Sequence, residues 1–170
     1  MPQTKGFTLI ELLIVIVLIA IMGSMAMLSI GTGNQRDQQR QEAERMLQLF
    51  QLAAQEAMIR GMPVGLECHL HGYRFLMLDN GQWHTENQDA VFRPRTLYAQ
   101  LFLSLQVDKQ TLLLRPLESI APKPQIVFTP DGDTDLFQVK IGLTGSAETF
   151  TVTNTLRDGL MMATQTAPTL

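Results

Sequence analysis

A single cysteine, Cys68, is all that the 170-residue chain contains. It can form no internal disulfide and offers no paired spacing for zinc, so the core has to hold without staples. Cationic charge is also scarce: 13 Lys and Arg stand against 16 Asp and Glu, a formal net charge of −3. A large phosphate-binding surface needs the opposite balance, which argues against nucleic acid as a partner. No Ser-His-Asp spacing, Gly-rich phosphate loop or paired catalytic carboxylates stand out. No catalytic residue, metal ligand or cofactor is therefore assigned, and an enzyme is disfavoured. Internal repeats and low-complexity tracts are missing as well.

What the chain does have is apolar content, 45% of it, very unevenly spread. Between Phe7 and Ile30 the only ionisable side chain is Glu11. As a helix this run would be roughly 36 Å long at about 1.5 Å per residue. A bilayer core is about 30 Å thick, so residues 7–30 are expected to span it. Lys5 is the only cationic side chain ahead of the run, which favours a cytoplasmic N-terminus and a single pass. The remainder is large enough to bury a core of its own.

Glu11 makes this an unusual anchor. An acid inside an inserting helix costs about 2.5–3.5 kcal/mol at the centre and less near an end. The residues before it, Lys5-Gly6-Phe7-Thr8-Leu9-Ile10-Glu11, resemble the type IV prepilin motif, a short basic leader ending in Gly, then Phe-Thr-Leu and a Glu. The resemblance implies a leader at 1–6, cut by a prepilin peptidase between Gly6 and Phe7, with N-methylation of the new Phe7 amine. Two other readings compete. Ser24-Met25-Ala26 could serve a secretory signal peptidase, and the run could be an unprocessed signal anchor. The length of the run and its early glutamate disfavour the first, and the motif disfavours both.

Once the leader is removed, Phe7 carries a cationic amine four residues before Glu11, on the same helical face. A buried carboxylate and a buried amine each need a partner. Among parallel helices, Glu11 can meet the amine of the next subunit and fix axial register. Glu11 is thus the expected assembly carboxylate, with membrane lipid surrounding the helix before assembly.

Gly31-Thr32-Gly33-Asn34 interrupts the apolar pattern as a bend, a joint or a break, with Asn34 able to cap a new start. Residues 31–63 are expected to continue as an amphipathic helix. Ala43, Met46, Leu47, Phe50, Ala54, Ala57 and Met58 recur at three- and four-residue steps, and Gly61 and Pro63 end it. Residues 64–170 are then expected to form a β-rich domain. Strands are predicted over 64–70, 73–79, 82–85, 97–107, 111–115, 125–129, 136–142, 149–155 and 160–163. A hairpin turn is predicted at Asp79-Asn80-Gly81, loops at 86–96 and 116–124, and a frayed end from Thr164. The fold class is α+β: a long N-terminal helix packed on antiparallel sheets.

Phe128-Thr129-Pro130-Asp131-Gly132, the strand to Gly142 and Phe150-Thr151-Val152 resemble the C-terminal pattern of the GspH/FimT-like group, which holds H-type minor pseudopilins of type II secretion. The resemblance implies a pilin-like fold and a structural subunit at or near the tip of a short periplasmic pseudopilus that helps export folded proteins across the outer membrane. Its implied partners are prepilin peptidase, the other major and minor pseudopilins and the inner-membrane secretion platform. It implies an inner-membrane location with the C-terminal domain in the periplasm. The alternative is a FimT-like minor type IV pilin, acting in pilus assembly or DNA uptake. Charge separates the two. Without Lys5 the mature chain has 12 basic and 16 acidic residues, and from Pro122 onward only Lys123, Lys140 and Arg157 oppose five acids. A basic DNA-binding tail is lacking.

Asp131-Gly132-Asp133-Thr134-Asp135 has the alternating carboxylates of a calcium loop. However, Leu136 and Gly142 stand where an EF-hand needs Gly and Glu, so a polar turn is expected. His69 and His71 would share one strand face and are read as exposed and unpaired rather than as metal ligands. Cys68 is read as a core thiol. Arg93-Pro94-Arg95 is the only tight basic cluster and is read as a solvated loop.

Overall fold

The computed structural model describes residues 9–87, 89–116 and 121–166, with side chains at 9–22, 34–87, 89–116 and 121–165. The chain divides into two compact units, up to Asp37 and from Gln38. One helix, α1 (Leu9–Arg60), supplies residues to both. Its backbone is helical through Gly31–Asn34, so no new helix starts at Asn34. Gly61, at φ +66°, closes α1 in the left-handed conformation that stops a helix, and Pro63 follows.

In the second unit α1 packs on two antiparallel sheets of five strands each. The first contains β1 (Val64–His69), β2 (Gly72–Asp79), β3 (Gln82–Thr85), β4 (Arg95–Thr96) and β7 (Ile126–Phe128), in the order β3-β2-β1-β7, with β4 also on β2. The second contains β5 (Leu101–Val107), β6 (Gln110–Leu112), β8 (Phe137–Leu143), β9 (Glu148–Thr155) and β10 (Gly159–Thr166), in the order β10-β9-β8-β5-β6. The two sheets join at Leu70. Its N–H donates to the Arg115 carbonyl at 3.1 Å, and its carbonyl accepts from the Leu103 N–H at 2.9 Å.

Phe50 is the centre of the core. Its ring lies 6.4 Å from Phe75 and 5.9 Å from Phe128, both in the first sheet, and 5.6 Å from Phe137 in the second. The Phe75 and Phe137 contacts are edge-on, an arrangement that adds to the area these rings bury. Ala43, Met46, Leu49, Ala53 and Ala57 complete the buried face of α1. Met58, placed on that face from its spacing, is instead 53% exposed, while Leu49 and Ala53 are inside. The reason is geometric: at 3.6 residues per turn, Met58 has rotated away from the line through Met46, Phe50 and Ala57.

Other expectations need correction. The predicted strand from Leu97 starts only at Leu101, because Leu101 N–H closes a turn onto the Tyr98 carbonyl at 2.8 Å. The predicted loop 86–96 contains β4, and β6 stops at Leu112. The C-terminal strand runs on to Thr166 instead of fraying from Thr164, with every residue paired to β9. Of the loop 116–124, residues 117–120 lie outside the described residues, as do residues 167–170 of the C-terminus.

Among the described residues, no helix is long and apolar enough to cross a membrane. The expected span 7–30 extends beyond the described side chains at both ends, which begin at Leu9 and break off after Met22.

Candidate functional site

Leu9–Met22 is the described part of the apolar run, and every one of its side chains is exposed within the chain. Leu9 is 89% exposed, Ile19 64% and Met22 72%. Apolar residues at successive positions cover the whole circumference of the helix instead of one stripe. Such a helix is stable only when something apolar surrounds it. Glu11 is in the first described turn of α1. Gly6 and Phe7, the sequence-assigned processing pair, lie outside the described residues.

From Gln38 onward α1 is fastened to the sheets by polar contacts that the apolar pattern did not reveal. Gln39 is fully buried, and its Nε2 donates to the Ile141 carbonyl at 2.8 Å and the Glu148 carbonyl at 3.1 Å. Glu42 is buried too. Its Oε1 accepts the Tyr73 hydroxyl at 2.9 Å and its Oε2 the Arg45 guanidinium at 2.7 Å. Burial, then the adjacent Glu42 carboxylate, pushes the Tyr73 phenol well above its usual range. A signal for both residues was present: Gln39 and Glu42 continue, at three- and four-residue steps, the row of Ala43, Met46 and Phe50.

His69 is buried, contrary to the exposed reading, and so is its neighbour on the same strand face, Glu67. The segment before β7 covers part of that face, with the Lys123 N–H donating to Glu67 Oε2 at 3.4 Å. A Cβ on Gly65 would sit 2.8 Å from Pro124 and 3.0 Å from Trp83, so only glycine fits beneath them. Glu67 Oε2 accepts from Arg74 Nε at 2.8 Å, and its Oε1 lies 4.0 Å from His69 Nε2. Burial lowers the His69 pKa, partly offset by Glu67. His71 is exposed and its Nδ1 lies 2.9 Å from the Leu101 carbonyl. Both histidines nevertheless line one small cavity, with Arg74, Pro94 and Arg95 also in its wall.

Cys68 is buried on the helix side of β1, and burial followed by Glu67 pushes its thiol up to about 12. Its N–H and carbonyl both bond the Gln125 carboxamide, at 2.7 and 3.1 Å, so that side chain extends the β1–β7 pairing by one rung. The 131–135 segment forms a solvent-facing turn. The Thr129 hydroxyl and then the Asp133 N–H hold the Asp131 carboxyl below its usual range, the latter at 3.3 Å. Of Arg93-Pro94-Arg95, Arg95 is in β4 and donates to the Val91 carbonyl at 2.9 Å. Among the described residues, no group of three or more His, Cys, Asp or Glu is placed to hold a metal ion.

Residues 42–166 match the family model of the type II transport protein GspH, and residues 1–27 match that of the prokaryotic N-terminal methylation motif. The chain is 27% identical over 153 residues to the type II secretion system protein H of Pseudomonas aeruginosa, covering 85% of this chain and 87% of that protein. It is 27% identical over 154 residues to its namesake in Escherichia coli K12, covering 87% and 86%. The fold is similar to the crystal structure of the minor pseudopilin EpsH from the type II secretion system of Vibrio cholerae. The TM-score is 0.63 and the identity 20%, over 79% of this chain and 96% of that one. It is likewise similar to the solution structure of Escherichia coli GspH, with a TM-score of 0.57 at 21% identity, over 77% and 89%. An apolar helix that needs company, a methylation motif ahead of it and a helix-on-two-sheets domain thus lead to one conclusion: this chain belongs to the type II transport protein GspH family.

Proposed function

We propose that the chain is a minor pseudopilin, a non-enzymatic structural subunit at or near the tip of the type II secretion pseudopilus that helps export folded proteins across the outer membrane. The observation that carries this reading is the match of residues 42–166 to the GspH family in a chain that also carries the methylation motif at 1–27. The relatives bear type II secretion names, and the acidic balance of the chain gives no support to a DNA-binding FimT-like pilin.

In this reading prepilin peptidase cuts between Gly6 and Phe7 and methylates Phe7. Residues 7–30 sit first in the inner membrane as a single span with the C-terminal domain in the periplasm. They then transfer from lipid to a bundle of sister helices contributed by the other pseudopilins, driven by the inner-membrane secretion platform. The exposure of Leu9–Met22 supports this, because an apolar surface on all sides suits either solvent. Glu11 supplies what apolar packing lacks, a polar contact that fixes register, by meeting the Phe7 amine of an adjacent subunit. Glu11→Leu tests the scheme. The variant should reach the membrane and be processed at the parental level, yet be missing from sheared filaments. Normal incorporation would refute the role of Glu11, and an N-terminus other than N-methylated Phe7 in the mature protein would refute the processing.

A further inference from the structure

A sheet edge is an offer of main-chain hydrogen bonds, and proteins usually withdraw it with short strands, charges or proline. Here four of the five outermost strands among the described residues are short: β3 has four residues, β4 two, β7 three and β6 three. Strand β10 is different. It has eight residues, Gly-Leu-Met-Met-Ala-Thr-Gln-Thr, without one charge, proline or bulge. All eight pair with β9 on one side, and among the described residues nothing follows β10 on the other.

We propose that the outer edge of β10 is a strand-addition site that receives an extended, uncharged segment of a neighbouring filament subunit. This rests on the filament-subunit reading above. The chemistry of the occupant follows from the two faces of the strand. Leu160 and Met162 are half-buried and pack against the core cluster, leaving an apolar shelf open toward the missing neighbour. An incoming strand with apolar residues at every second position would continue that shelf. On the opposite face Met161, Ala163 and Gln165 are exposed and uncharged. The nearest charges are Arg157 and Asp158 at the start of the strand and Lys140, which the register puts behind Thr151 and Ala163, so along the edge itself a neutral segment is selected. A second copy of β10 is a poorer fit. Antiparallel self-pairing in a continuous sheet generates a closed two-fold dimer, whereas a filament needs a head-to-tail contact that does not close.

The test uses the full-length chain in cells with a working secretion system. Ala163→Lys and Met161→Lys place a charge on exposed positions of the edge, and Ala163→Ser keeps it neutral. The lysine variants should lose incorporation and secretion while keeping the parental thermal unfolding, and the serine variant should match the parent. A photo-cross-linking residue at 163 should link to an extended uncharged segment of another pseudopilin, identified by mass spectrometry, whereas the same residue at the exposed Leu113 should not. Full incorporation of both lysine variants, or a cross-link at 163 only to a second copy of this chain or to no protein, would overturn the proposal. Glu11→Leu run alongside separates the two ideas: loss of incorporation there with none in the lysine variants sinks strand addition and leaves the subunit reading intact.

Discussion

The Tyr73 hydroxyl donates to Glu42 Oε1 at 2.9 Å inside the interface between α1 and the first sheet. Both groups are buried, and the carboxylate reaches water only through its pairing with the half-exposed Arg45. Tyr73→Phe should therefore cost about 1.5–3 kcal/mol, the usual range for a hydrogen bond to a charged group. The pH dependence has a definite sign. The phenol is raised in the folded state, so its contribution is complete below the ordinary tyrosine pKa of about 10 and is lost as pH rises beyond it. Denaturant unfolding of the full-length chain in detergent should show a steep alkaline loss, and Tyr73→Phe should make that loss shallower. An unchanged alkaline slope would show that Tyr73 is not the group responsible.

Gln39 performs the same fastening on the second sheet, with its carboxamide spanning β8 and the start of β9. Gln39→Ala leaves the Ile141 and Glu148 carbonyls without that donor and should cost about 1–3 kcal/mol. Gln39→Glu should be worse, because a carboxylate there cannot donate at all. Amide hydrogen exchange would locate the damage. Faster exchange should be confined to β8 and β9, with β1 and β2 protected as in the parent.

How far the sequence could be read depends on whether a feature is local. The end of α1 at Gly61 and Pro63 and the Asn80-Gly81 hairpin turn are written in residues that few other conformations favour, and both are where the spacing places them. The N-terminal methylation motif is a linear pattern, so the order of residues alone suffices to match it. Other features depend on contacts across the chain. Glu67 and His69 alternate with apolar residues and so read as a wet face, but both are buried, and Lys123, far along the chain, donates its N–H to Glu67 Oε2 at 3.4 Å. Asp108 and Lys109 form a turn with φ of 48° and 66°, which no glycine or asparagine announces. Strand β4 is two residues paired to Gly72 and Tyr73, a contact its own sequence does not announce.

Phe50 and Met58 give the sharpest contrast between spacing and packing. Both fit the helical apolar pattern, yet Phe50 is fully buried among three phenylalanines and Met58 is mostly in water. Phe50→Ala should cost about 3–5 kcal/mol, transfer and cavity terms together. Met58→Ala should stay within about 0.5 kcal/mol of the parent. Equal losses in the two variants would contradict the packing around α1.

The Cys68 thiol is buried and pushed up to about 12. The thiolate is the reactive form, so native protein should resist maleimide at mildly alkaline pH. Labelling should proceed at the rate at which the sheet opens, and should accelerate in step with denaturant across the unfolding transition. Rapid labelling of the folded chain would mean that β1 opens locally far more often than its pairing on both sides allows.

The acid limb of the stability curve should belong in part to His69. Its pKa is lowered in the folded state because burial disfavours the imidazolium, an effect that Arg74 reinforces and Glu67 opposes. A lowered value means that stability is intact above the ordinary histidine pKa of about 6.5 and falls as the pH drops through the folded value. Proton uptake would place a second cation, buried, beside the Arg74–Glu67 pair. His69→Gln cannot take up that proton, so its stability should be flatter from neutral to about pH 5, the range in which histidine is the usual titrating group. Denaturant midpoints for the two proteins across that range decide the matter, and parallel curves would assign the acid loss to other groups.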